Sequence, residues 1–352
     1  MRRTMFFLLT SLSLASALTT AGQAQRPFRI GEIEAGPGEL ASGFLEIPSG
    51  VDEGTRIPIS IIHGSRPGPV LAAIAGVHGY EYPPITALQR VRATLEPRVL
   101  AGTLILVHVA NMPSFLGRTI YYSPVDGKNL NRVYPGRADG TVSERIAHAI
   151  TTEIIDRADV VIDMHCGDGN EALRPYAYWM QSGDPDLDAR TRDLVIAFGL
   201  DHIVIDRDRP RDAAAALYTS NTALTRGKPG FTTETGKLGS NDEHWVDMAT
   251  RGVLNVLRHL GMLEGEADLP GAIVWLDGYE VVRSPVTGIF QPAVQDGYLV
   301  AEGGLLGTLV DFFGDPIRDV RAPFAGVVNY VIATPPVSEG EPLAMVSRLA
   351  QQ

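Results

Sequence analysis

Short apolar runs separated by amphipathic stretches organise the first two thirds of the chain. "PVLAAIAGV" (69–77), "GTLILVHVA" (102–110), "DVVIDMH" (159–165), "DHIVID" (201–206) and "GFTTET" (230–235) are compact apolar segments. Such runs mark strands buried on both faces. Upstream, "GFLEIPSG" and "RIPISIIHG" read as strands and turns. Helical spacing covers Pro84 to about Leu95, residues 141–158, and Ser240 to Leu260. In the second, Ile146, Ile150 and Ile154 recur every fourth residue, and Thr141 with Glu144 forms a capping box. In the third, Ser240 and Glu243 form another capping box and Gly261 is the stop. Buried strands alternating with helices predict an α/β fold, a mixed and mostly parallel sheet with helices on both faces.

The pattern changes after "GMLEGEADLPGA" (261–272), which reads as a linker. Short alternating runs punctuated by Gly and Pro follow, without helical period, so a small all-β C-terminal domain is expected over 272–352. It repeats internally. "RSPVTG" (283–288) returns as "RAPFAG" (321–326), and "VAEGGLLGTLV" from Val300 returns as "VSEGEPLAMV" from Val337. These half-motifs resemble the biotinyl/lipoyl barrel-sandwich family, whose carriers attach their cofactor to a lysine. The lysines here are Lys128, Lys228 and Lys237, all upstream, so a packing or site-covering module is expected instead of a carrier.

Residues 1–24 read as a secretory leader, with Arg2 and Arg3, an apolar stretch from Met5 to about Ala17, and Gly22 and Ala24 as the small residues of a cleavage site. The leader predicts a periplasmic or secreted protein and leaves residues 25–265 as the catalytic domain. The formal charge is −11, and losing Arg2 and Arg3 with no acidic residue makes it −13. That surface argues against nucleic acid and anionic membranes as partners. Cys166 is the single cysteine, so no intrachain disulfide forms and the fold rests on its core.

The candidate chemistry falls where buried strands end. In "GVHGYE", His78 and Glu81 follow the first run, with Gly76 and Gly79 allowing a sharp turn; His165 closes the third run, and Glu234 lies near the end of the fifth. Ligands of open α/β sheets collect at the carboxyl ends of strands. A catalytic zinc site needs three N/O ligands and an open position, and His78, Glu81 and His165 supply such a set. A further carboxylate must move a proton, and Glu234 is the candidate. An H-x-x-E pair equally suits a polar turn between a strand and a helix. Asp163, on the same strand face as His165, is either a carboxylate supporting it or a hydrogen-bonded strand end. Cys166 reads as a small, half-buried hydrophobe. His63, His108, His148, His202, His244 and His259 read mostly as surface or capping residues. The loop "SPVDGKNLNRVYPG" (123–136) gathers Asn129, Asn131 and Arg132. An arginine fork with an adjacent amide suits carboxylate recognition; a turn bonding its own backbone is the other reading.

"GVHGYE", "KNLNRVYPG", "DMHCG" and "TETG", in this order, resemble the succinylglutamate desuccinylase/aspartoacylase family, which is related to zinc carboxypeptidases. The resemblance covers roughly residues 55–260. It implies one Zn2+ per chain on His78, Glu81 and His165, Glu234 as the base, and Asn131 with Arg132 as a clamp on a substrate carboxylate. Many members place an arginine just before the "SP-x-DG" turn to polarise the scissile carbonyl. Tyr121 stands there, and Arg118, three residues earlier, is the substitute candidate. The function implied is a zinc-dependent amidohydrolase acting on an N-acyl amino acid or similar small carboxylate-bearing amide. The alternative is a metallocarboxypeptidase acting on peptides, including cell-wall peptides. Assembly into a homo-oligomer stays open.

Overall fold

A computed structural model describes residues 25–351, so the leader read at 1–24 lies outside the described residues. A mixed sheet runs through the molecule, and its middle fixes the site. The strand Arg66–Ala75 lies parallel to Val160–His165, which lies parallel to Gly230–Glu234. The register pairs Ala75 with Met164 and His165 with Glu234, so the three strands end together. Tyr176–Met180 joins antiparallel to Gly230–Glu234, and His202–Asp206 continues parallel beyond it. On the other side Ala101–Val107 is parallel to Arg66–Ala75, and Thr55–His63 and Glu39–Ile47 complete the edge antiparallel.

Period-two alternation explains why the central runs are apolar throughout. Leu71, Ala73, Val160 and Ile162 face one core layer; Ala72, Ile74 and Val161 face the other. The helices Tyr82–Thr94, Pro185–Phe198 and Glu243–His259 cover the first face through Leu88, Leu194 and Val253. The helix Val142–Glu153 covers the second through Ile146 and Ile150, joined by Ala223 of the short helix Thr219–Leu224. Phe231 is fully buried and meets Phe198 edge-on at 6.1 Å. Phe231→Ala is expected to cost about 3–5 kcal/mol by opening a cavity under this sheet. Chemical denaturation with an unchanged m-value checks it.

Two boundaries differ from the sequence expectation. Residues 141–158 form an α-helix only to Glu153, followed by a 3₁₀ turn at Ile155–Arg157; the Glu144 carboxylate accepts from the Thr141 N–H at 2.9 Å as expected. The last helix starts at Glu243 with Asp242 as its N-cap, and the Ser240 hydroxyl accepts from the Asp242 N–H instead of capping the helix. The helix Pro185–Phe198, capped by Asp184, and the aromatic strand Tyr176–Met180 were both missing from that expectation.

The strand Val274–Arg283 pairs parallel with His202–Asp206 through its first half and antiparallel with Pro342–Leu349 through its second, so the central sheet extends into the C-terminal region. There Phe290, Leu309, Phe324 and Val346 share a separate core. The repeated motifs occupy matching places. Gly288 and Gly326 each open a strand, and a Cβ at either would lie within 2.7 Å of a neighbouring strand's carbonyl oxygen. No helix among the described residues is long and apolar enough to cross a membrane.

Candidate active site

The turn after Arg66–Ala75 aims two side chains at one point. Gly76 takes φ +69°, and a Cβ at Gly79 would lie 2.4 Å from the carbonyl oxygens of Ser114 and Thr119, so only glycine fits this crossing. His78 and Glu81 emerge beneath it, both buried. His165 arrives from the neighbouring strand end. The Nδ1 atoms of His78 and His165 lie 2.7 and 2.9 Å from the two oxygens of Glu81, and one ligand atom from each residue falls within 4.8 Å of the others.

The outer nitrogens are held away from this point. His78 Nε2 is 3.2 Å from Asn129 Oδ1, and His165 Nε2 is 2.9 Å from Asp163 Oδ1. With an outer N–H donating to each of these oxygens, Nδ1 is the atom each ring turns to the inside. Asp163 is thus a supporting carboxylate. Burial opposes the charge on Glu81, but His165 and His78 outweigh it and hold the carboxyl down to about 2. Burial also opposes a proton on His165, but Glu81 and Asp163 raise its pKa well above the ordinary value. An anionic carboxylate between two inward imidazoles calls for positive charge at their centre. Glu81 Oε2, buried and without a well-directed hydrogen bond, marks the place. The donor set therefore fits a small N/O-liganded cation such as zinc.

Glu234 stands beside His165 in the strand register and lines the same cavity of about 310 Å³. Burial is the main cause raising its carboxyl well above the usual range; His165 opposes the shift, and Glu81, Glu171 and Asp163 add to it. Asn131 and Arg132 also line the cavity. The Asn131 amide oxygen accepts from the Thr219 N–H at 3.1 Å, which ties the loop to a helix and leaves the amide nitrogen 3.4 Å from His165 Nε2. Asn129 bonds its own turn, accepting from the Asn131 N–H at 2.8 Å. Arg132 is exposed at the mouth, over the Tyr218 ring at 4.6 Å, with Nη1 donating to the Asn131 carbonyl.

Arg118 is not part of this cavity. It ends the helix Met112–Gly117 in a left-handed conformation, φ +49°, and is exposed outside. Tyr121 does line the cavity, with its hydroxyl donating to Glu171 at 2.7 Å and lying 3.0 Å from the Asn170 side-chain amide. The half-buried cavity arginine is Arg209, within the charged stretch "DRDRPRD". Asp206 pairs with it at 2.6 Å, and it lies over Tyr218 at 4.0 Å. Tyr176, Tyr178 and Met180 alternate along one missed strand, and Tyr279, Val281 and Arg283 alternate along the strand entering the C-terminal region. With Tyr330 they line the same cavity as the histidines. Period-two spacing was visible in both strands, but not that they meet.

Cys166 lines the cavity and is buried, not half-buried, and burial pushes its thiol well up. Three of the other histidines are also interior. His63 bonds Thr103 at 2.9 Å, His108 bonds Ser60 at 2.8 Å, and His202 lies 2.9 Å from Arg174. His63 and His202 sit on strands and His108 directly follows one, and each meets a polar partner from a segment distant in sequence.

Fold and site together define a polar, His/Glu-lined centre at the carboxyl ends of parallel strands in an α/β sheet. A family model of the succinylglutamate desuccinylase/aspartoacylase catalytic domain matches residues 67–260, and the chain belongs to this family of amide-bond deacylases. Among its relatives is the N-alpha-acetyl-L-2,4-diaminobutyric acid deacetylase of Halomonas elongata, 31% identical over 321 residues, covering 88% of this chain and 92% of that one. The product-bound ectoine utilization protein EutE (DoeB) from Ruegeria pomeroyi superposes with a TM-score of 0.79 at 30% identity, covering 88% of this chain and 95% of that chain. A succinylglutamate desuccinylase/aspartoacylase from Rhodobacter sphaeroides gives a TM-score of 0.79 at 27% identity, over 89% and 96%.

Proposed function

We propose that the protein is a zinc-dependent deacylase that hydrolyses the amide of an N-acyl amino acid. The observation that carries this reading is the meeting of His78, Glu81 and His165 within 4.8 Å, with Glu234 paired beside His165. When bound, zinc lowers the pKa of a water toward ~7 and polarises a carbonyl. Asp163 and Asn129 keep the imidazoles turned inward. Glu234 accepts the proton of the attacking water and passes it to the departing nitrogen. Its raised pKa suits a group that must both take and return a proton. Arg132, at the mouth and without an ion-pair partner among the described residues, receives the substrate carboxylate.

A small amide is favoured over a peptide because Tyr279 and Tyr330 from the C-terminal region line a cavity of only about 310 Å³. The 2,4-diaminobutyrate relative makes an Nα-acetylated amino acid the first substrate to try. The leader read at 1–24 supports an activity in the periplasm or outside the cell.

The test is hydrolysis by zinc-loaded protein of a panel of N-acyl amino acids against short peptides with free C-termini. Turnover of peptides alone would overturn the deacylase reading. Within the panel, Arg132→Ala is expected to lower kcat/KM about 10–100-fold for carboxylate-bearing substrates, the worth of one hydrogen bond to a charged group. An analogue with the carboxylate replaced by an amide should lose little further in that variant. Equal losses on both would make Arg132 structural.

A further inference from the structure

We propose that Glu171 selects substrates that carry a free ammonium group in addition to the carboxylate received by Arg132. The proposal rests on the deacylase reading above and adds the substrate class. It follows from the charges that line the cavity. Glu81 is held between two histidines, and Glu234 is the proton carrier. Arg209 is paired with Asp206 at 2.6 Å, and Arg283 is exposed at the rim, donating to the Gly340 carbonyl. Arg132 and Glu171 remain, of opposite sign, and neither has an ion-pair partner among the described residues.

Glu171 has only neutral donors. The Tyr121 hydroxyl donates to Oε1 at 2.7 Å, and the Asp168 N–H makes a long contact to Oε2 at 3.4 Å. Burial, reinforced by Asp168 and Glu81, pushes its carboxyl up to about 7 although Tyr121 opposes the shift, which is the state of a carboxylate short of a cation. Tyr121 also sets the reach. Its ring meets the His78 imidazole edge-on at 5.9 Å, so Glu171 sits one tyrosine's length from the metal-type cluster. That places it clear of the scissile amide and within the span of a short aminoalkyl side chain. A substrate ammonium there would gain a carboxylate in a part of the cavity where water is scarce, and a neutral side chain would leave Glu171 uncompensated.

The experiment compares Nα-acetyl-2,4-diaminobutyrate with Nα-acetyl-2-aminobutyrate, which lacks only the amine. The wild type is expected to prefer the diamino substrate by at least about 10-fold in kcat/KM, as a charge-assisted contact requires. Glu171→Gln should bring that ratio close to one, and Glu171→Asp should restore part of it. Calorimetric binding of 2,4-diaminobutyrate against 2-aminobutyrate should follow the same order. A wild-type ratio near one, or a ratio unchanged in Glu171→Gln, overturns the proposal, and the first outcome decides it even if the Gln variant does not fold. Glu171-dependent binding of the diamino ligand without hydrolysis of either amide would keep the selectivity and overturn the deacylase reading.

Discussion

Glu234→Gln is expected to cut turnover by at least ~10²-fold while leaving zinc content and folding unchanged. General acid–base groups contribute about 10²–10⁴-fold. Glutamine keeps the size and hydrogen-bonding shape of glutamate but cannot carry a proton between water and the leaving nitrogen. Glu234 lies across from His165 in the strand register without occupying the three-residue cluster, so the substitution removes no ligand. It also removes one of the carboxyls crowded into the cavity, so stability should not fall. Paired measurement of metal content and turnover checks this. Full turnover in Glu234→Gln would remove it from the mechanism, and loss of zinc would make it a ligand.

Removing the cluster should have the larger effect. The purified protein is expected to hold about one zinc per chain, and His78→Ala/His165→Ala to hold none after reconstitution. Turnover should drop by at least about 10³-fold, since the lost charge stabilisation amounts to several kcal/mol. Glu81→Gln should weaken zinc binding without abolishing it, because an oxygen ligand remains but its charge is gone. In the double variant the Glu81 carboxylate stays buried with no partner, so its pKa rises once the imidazoles that hold it near 2 are gone. Elemental analysis and calorimetric zinc titration decide the matter. Full metal retention in the double variant would place the site elsewhere.

These expectations tie the C-terminal region to catalysis, although it carries none of the acid–base or ligand residues. The strand Val274–Arg283 belongs to the central sheet at one end and to the C-terminal sheet at the other, and Tyr279 and Arg283 reach the cavity from it. Lys237, three residues after Glu234, pairs with Asp296 at 3.0 Å. The C-terminal wall of the cavity is therefore anchored close to Glu234.

Much of the site could be read from the chain because its causes are local. An apolar run bounded by glycine ends where a polar side chain appears, and that fixed His78, His165 and Glu234 as strand-end residues before any contact was known. Gly76 and Gly79 advertised a turn that only glycine can make. Thr141 and Glu144 lie within one helical turn, and their bond forms as the spacing predicts. Ser240 shows the limit of such local signals: its hydroxyl accepts from the Asp242 N–H before the helix begins, and the helix starts at Glu243 with no side-chain cap from either residue. The tertiary structure alone decided what depends on distant segments meeting. The parallel order of the three central strands makes three separate ends into one site. Arg118 and Arg209 are both arginines in polar stretches, yet one caps an exposed helix end and the other is half-buried against Asp206 and Tyr218. His63, His108 and His202 are interior because Thr103, Ser60 and Arg174 reach them from neighbouring elements. Periodicity encodes which face of a strand is covered; which side chain covers it, and with what charge, is set by strand order and by the loops that fold back over the sheet.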